Sequence, residues 1–205
     1  MRPSRHRAFA LSALASFAIA AIAFGLLPWA AAIDYSHRRH PLAWLGATGV
    51  PGALWFDAFA FVVPGALAAA ALWPLRDAVP AETGWSARIG ARLALLSAFA
   101  FAAQGLLPID VEDLDGTASG LHGIAWTLWW IAFSAGNVGL AWGFRKRRDP
   151  ADGFVAFVAA QAVPTCALFA QAAMPIALAQ RLAFVLWFAW IVWIAGRYGR
   201  LRGDA

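Results

Sequence analysis

The chain has 205 residues, of which 62% are hydrophobic and 13% charged, with 12 Trp, 15 Phe and a mean hydropathy of +0.65. That is too apolar for a soluble domain and too poor in charge for a disordered one, so the sequence predicts an all-α polytopic membrane bundle. Its net charge of +5 comes from fifteen Arg and one Lys, but no basic stripe with interleaved aromatics lies in a soluble segment. Membrane lipids are therefore the expected partners, and nucleic acid is not.

Six apolar spans follow in chain order, at residues 8–33, 51–75, 88–107, 121–144, 154–174 and 182–198. The first five are long enough for a bilayer core of about 30 Å, and the sixth is the shortest. Span 1 has a basic start and small residues like those of a cleavage site. Its apolar run exceeds the roughly 7–15 residues of a signal peptide, so a retained membrane helix is expected. Span 2 carries Asp57 and Pro64-Gly65, span 3 Gln104, span 4 Asn137 and Gly139-x-x-x-Gly143, and span 5 Gln161, Pro164, Cys166 and Gln171. The connections are short and lack Gly/Ser linkers, which predicts one domain. Cys166 has no partner in the sequence for a disulfide.

Thirteen of the sixteen basic residues fall at one end of the spans: Arg2, Arg5 and Arg7; Arg76, Arg88 and Arg92; Arg145 to Arg148; and Arg197, Arg200 and Arg202. Only Arg38, Arg39 and Arg181 fall at the other. Lys and Arg in short loops stay in the cytoplasm, so both termini are expected there, in a bacterial inner membrane. The abundance of Arg and Ala points to a GC-rich bacterial genome.

Helical spacing places Ala53, Asp57, Ala60, Pro64 and Ala68 on one small-residue face of span 2, with Trp55, Phe59 and Val62 opposite. Asp57 is then expected to face protein about 9 Å below the outer interface, either paired, hydrogen-bonded or held neutral. Pro64-Gly65 predicts a kink that makes room for a cavity. The first outer loop offers Asp34, His37, Arg38, Arg39 and His40, and the second offers Asp110, Glu112, Asp113 and Asp115, followed by His122. Opposite charges on the two loops predict closure of the outer mouth by attraction. The pair His37-x-x-His40 lies in a loop before a proline and lacks the helical spacing of strong zinc motifs, so neither metal nor cofactor is expected. Gln104, Asn137, Gln161 and Gln171 are expected to join helices by hydrogen bonds, and Pro164 and Pro175 to bend or break span 5.

"HPLAWLGATGVPGALWFDAFAFVVPGAL" (40–67) and "GLLPIDVEDLDGTASGLHGIAW" (105–126) together resemble the prokaryotic membrane family known as domain of unknown function 998. The most telling residues are Pro108-x-Asp110 and Leu121-His122-Gly123. That family often has Ser-Asp where this chain has Ala43-Trp44, and often an Asn in helix 2 where this chain has Asp57. The resemblance implies a six-helix fold and functional outer loops without naming a reaction.

Three activities fit these residues. The first is a protein without enzymatic activity that binds a lipid, small molecule or partner in an outward-facing polar cleft lined by Asp57, Asp110 and His122. The second is a small proton-coupled transporter using Asp57. The third is an intramembrane metal-dependent hydrolase using His37, His40 and His122. The topology is tested directly by fused reporters: those after Arg148 and Ala205 should read cytoplasmic and those within 34–50 or 110–119 periplasmic, and a periplasmic C-terminus would remove the six-span arrangement.

Overall fold

The computed structural model describes residues 3–30, 35–145 and 150–203, with side chains for 8–26, 35–145, 150–170 and 172–197. Its helices are α1 (Pro3–Ala30), α2 (Ala53–Asp57), α3 (Val63–Leu72), α4 (Leu75–Ala78), α5 (Gly84–Leu106), α6 (Thr117–Phe144), α7 (Ala151–Pro164) and α8 (Ile176–Gly203). Six stretches are long and apolar enough to cross a membrane: Ala8–Leu26, Ala53–Ala78, Ala81–Leu106, Thr117–Phe144, Ala151–Phe169 and Ile176–Arg197. The expected number of spans is therefore present. The last span is not the shortest, since α8 runs for 28 residues and begins before Arg181. An Arg at a helix end projects its head outward without interrupting the backbone ladder, so the charge did not mark the boundary.

Consecutive spans are neighbours and the last returns to the first. Thus α1 packs on α3 and α8, α3 on α5, α5 on α6, α6 on α7, and α7 on α8. The interior of this ring is filled with aromatic side chains. Phe101 of α5 stacks on Trp187 of α8 at 4.7 Å between ring centres and meets Phe184 and Phe188 edge-on at 5.2 and 5.3 Å. Trp129 of α6 lies 5.0 Å from Phe184. In lipid, helices gain little from the hydrophobic effect when they associate, so dense contact of this kind must hold the bundle.

Close backbone approach supplies the rest. A Cβ on Gly90 would lie 2.5 Å from the Gly136 carbonyl oxygen, and one on Gly139 2.6 Å from that of Ser86, so α5 and α6 touch backbone to backbone. Serines make the interhelical hydrogen bonds: Ser12 and Ser16 of α1 donate to Leu67 O and Pro64 O at 2.8 and 2.6 Å, and Trp187 donates to Ser97 Oγ at 3.2 Å. Among the described residues, the amides expected in that role show no such bonds. Asn137 donates to Phe133 O in its own helix, and the buried amide of Gln104 has no hydrogen-bond partner among the described residues. Gln161 is exposed, and the side chain of Gln171 lies outside the described residues. A short hydroxyl reaches the neighbouring carbonyl across a tight contact, whereas a long amide does not fit there.

Pro64 and Pro164 each lie beside a π-helical turn, Ala58–Val62 before Pro64 and Thr165–Phe169 after Pro164. A proline cannot donate to the preceding turn, and a widened turn is one way to accommodate the freed carbonyl. The expected cavity at Pro64-Gly65 does not form. Gly65 is pressed against Ala102 of α5, where a Cβ would come within 2.7 Å, so the small residue closes the gap between helices. At the basic end, Asp152 of α7 and Arg197 of α8 form a buried ion pair that ties the last two spans together.

Candidate functional site

The end of the bundle opposite the basic residues is termed outer, after the charge bias. There the first connection meets the second through a backbone bond, Thr48 N to Ile109 O at 2.9 Å, and a small apolar cluster of Ala43, Ala47 and Ile109 with Trp44 and Val50. The expected electrostatic closure is not what joins them. Among the described residues no ion pair links Arg38 or Arg39, both exposed, to Asp110, Glu112, Asp113 or Asp115. Exposed charges gain little from pairing in water. The second-loop acids instead shape their own turn: Asp110 Oδ1 accepts from Glu112 N at 3.0 Å, and Ser119 Oγ donates to the carbonyls of Asp110 and Asp113 at 3.0 Å.

Arg181 of α8 holds the first loop. It donates to Tyr35 Oη, to His40 O at 3.2 Å and to Ala177 O at 2.6 Å. His40 Nδ1 accepts from Ser36 N at 3.1 Å, and its ring stacks on Trp44 at 4.5 Å. His37 stands edge-on to Tyr35 at 5.4 Å. Burial, and then the nearby Arg181 guanidinium, hold the His37 imidazole below its usual pKa; burial raises the Tyr35 phenol. Both histidines of the loop thus serve its packing.

Between these loops and the ends of α6 and α8 lies a pocket of about 390 Å³, lined by Trp44, Ile109, His122, Trp126, Ile176 and Gln180 among others. His122 Nδ1 is 2.8 Å from Leu107 O and 3.2 Å from Gln104 O, so Nδ1 carries the proton and donates. In the neutral ring Nε2 is then an acceptor. Gln180 Oε1 accepts from Leu42 N at 3.4 Å, which leaves its NH₂ group as a donor. No acid, Lys or Arg lines the pocket among the described residues. Ser119 also lines the pocket, with its hydroxyl engaged by the Asp110 and Asp113 backbone; a cavity that is otherwise mostly apolar, with His122 and Gln180 offering an acceptor and a donor, suits an uncharged ligand.

Of the trio expected to line an outward cleft, only His122 does so. Asp110 belongs to the second-loop turn. Asp57 is buried on another side, as its small-residue face predicted, with Ala60, Pro64 and Ala68 also buried and Trp55 and Phe59 exposed. Two glycines enclose it. A Cβ on Gly46 would overlap the Asp57 carboxyl group, coming within 2.8 Å of Oδ2 and closer to Oδ1, and one on Gly105 of α5 would lie 2.7 Å from its carbonyl oxygen. The carboxylate has neither a hydrogen bond nor an ion pair among the described residues. Also among the described residues, no three His, Cys, Asp or Glu side chains converge in a way that would hold a metal ion. Asp34 lies outside the described residues.

Gln180 and Trp44 went unrecognised in the sequence. Gln180 precedes Arg181 in what reads as a loop, and a single Trp in an outer loop carries no pattern. Comparison of the chain with protein-family models, curated proteins and solved structures found no match in any of the three.

The Gly46 contact is testable. Gly46→Ala should destabilise the detergent-solubilised protein by about 1–3 kcal/mol through overpacking against Asp57, and Asp57→Ala should relieve most of that loss in the double variant. Thermal unfolding of the four proteins reads the coupling; additive effects would remove the contact.

Proposed function

We propose that this chain is a multi-pass protein of a bacterial inner membrane that binds an uncharged amphipathic ligand, a neutral lipid or small molecule bearing a hydroxyl or amide, in its outward-facing pocket. The observation that carries this reading is the pocket of about 390 Å³, in which His122 offers an acceptor, Gln180 offers a donor, and aromatic and aliphatic groups supply the rest of the wall. The outward direction rests on the Arg and Lys distribution. The resemblance to family 998 points to the outer loops, and of its telling motif Leu121-His122-Gly123 the last two residues line the pocket.

The ligand would place its apolar body against Trp44, Trp126 and Ile176 and direct its polar group between His122 Nε2 and the Gln180 amide. Monoacylglycerol and lysophosphatidic acid of equal chain length are suitable probes. The purified protein should bind the neutral one in preference, and His122→Phe should weaken it by about three- to tenfold, the equivalent of one hydrogen bond. Gly123→Leu is the second variant, because a Cβ at Gly123, which lines the pocket, meets nothing within 4 Å, so the side chain fills empty space. Equal binding by wild type and both variants would overturn the reading.

A second reading, a small proton-coupled carrier, is favoured by Asp57, an enclosed carboxylate without a partner among the described residues and next to a π-helical turn. A purely structural acid would show a bond to a neighbouring helix. On the carrier reading, Asp57→Asn should leave folding intact and abolish pH-driven uptake into proteoliposomes. An unchanged pH response in the variant would remove it.

A further inference from the structure

A cavity larger than the outer pocket lies at the other end of the molecule, on the flank of the bundle. It is a lateral groove of about 960 Å³ along α6, between α5 and α7, and its lining includes Trp85, Ala135, Trp142, Arg145, Phe157 and Gln161. We infer that this groove binds one anionic phospholipid of the leaflet at the basic end, with an acyl chain lying along α6 and the headgroup phosphate at Arg145.

Length, level and charge support this occupant. Along α6 and its C-cap the lining runs from Ala135 to Arg145, and along α7 and its N-cap from Pro150 to Gln161. At 1.5 Å per residue each run covers about 15 Å, which is half of a hydrocarbon core of about 30 Å. The groove is thus as long as one leaflet is thick and stops near the bilayer midplane. Its interfacial end carries Trp85 and Trp142, 70% and 61% exposed, at the level where Trp side chains meet lipid headgroups.

The guanidinium of Arg145 is fixed at the mouth. It lies 3.9 Å over the Trp142 ring and donates to Trp142 O, and it makes no ion pair among the described residues. Its remaining donors are therefore available for a phosphate. The sequence run Arg145-Lys146-Arg147-Arg148 is the most basic stretch of the chain, so the field at this end favours an anion.

Native mass spectrometry of the full chain in mild detergent tests this, using phosphatidylglycerol, phosphatidylcholine of matched chains, and glycerol phosphate as probes. Wild type should retain phosphatidylglycerol in preference to phosphatidylcholine, and Arg145→Gln should reduce that preference about fivefold, the effect of one Arg near an anionic surface. Ala135→Phe and Val138→Trp, at exposed groove positions, should abolish retention of both lipids while leaving the melting temperature unchanged. Arg92→Gln, exposed on α5 outside the groove, should change nothing. Equal retention of the two lipids by wild type, full retention in both groove-filling variants, or displacement by glycerol phosphate alone would each overturn the inference. So would groove-filling variants that change only the oligomeric state, which would assign the groove to a second copy.

Discussion

The arrangement depends on the aromatic centre around Phe101. Once Phe101, Phe184, Trp187 and Trp129 are packed against one another, the interior of the six-span ring is solid at that level. Space for ligands is then displaced to the end of the bundle and to its flank. The outer pocket rests on this same cluster, because Trp126 lines it and lies 5.0 Å from Trp129 and 5.5 Å from Phe184. The lateral groove lies outside the ring, where α6 bridges α5 and α7. Bulky rings inside and glycines between neighbouring helices are complementary: the first fill the centre, and the second let the helices close around it.

A second constraint is the need to satisfy backbone groups away from water. The 3₁₀ turn Leu42–Gly46 is largely buried without being part of a long helix, and the side chains that bond its first residue and the two residues before it come from α8 and from nearby Tyr35. Gln180 accepts from Leu42 N, and the hydroxyl of Tyr35, itself held by Arg181, bonds His40 O and Pro41 O at 3.3 and 3.4 Å. The first loop is therefore a fixed cover over Asp57 and one wall of the pocket. A single change at Arg181 would loosen both.

The two ends treat buried charge differently. At the basic end Asp152 is compensated by Arg197, as expected of a buried pair in a structural role. At the outer end Asp57 has Gly46 over its carboxyl group and a glycine against its backbone, and no cation is paired with it among the described residues. An acid so enclosed, with no partner among the described residues, is the feature on which the proton-carrier proposal rests.

The sequence by itself determined the membrane class, the number of spans and the face that Asp57 presents, because these follow from local periodicity and from apolar length measured against the bilayer. It also singled out His122 and the Gly139-x-x-x-Gly143 spacing. Which groups meet was decided by tertiary structure alone. Gln180 and Trp44 join His122 across more than 55 positions of sequence on either side; Arg181 finds Tyr35 146 positions away; and Asp152 finds Arg197. Charge counting predicted that the outer loops attract each other, but exposed charges are screened by water, and a backbone bond with a few buried apolar atoms joins them instead. The reason is general: helix formation and membrane insertion are decided within one segment, whereas a pocket depends on the closure of the ring, which only the packing of all six spans sets.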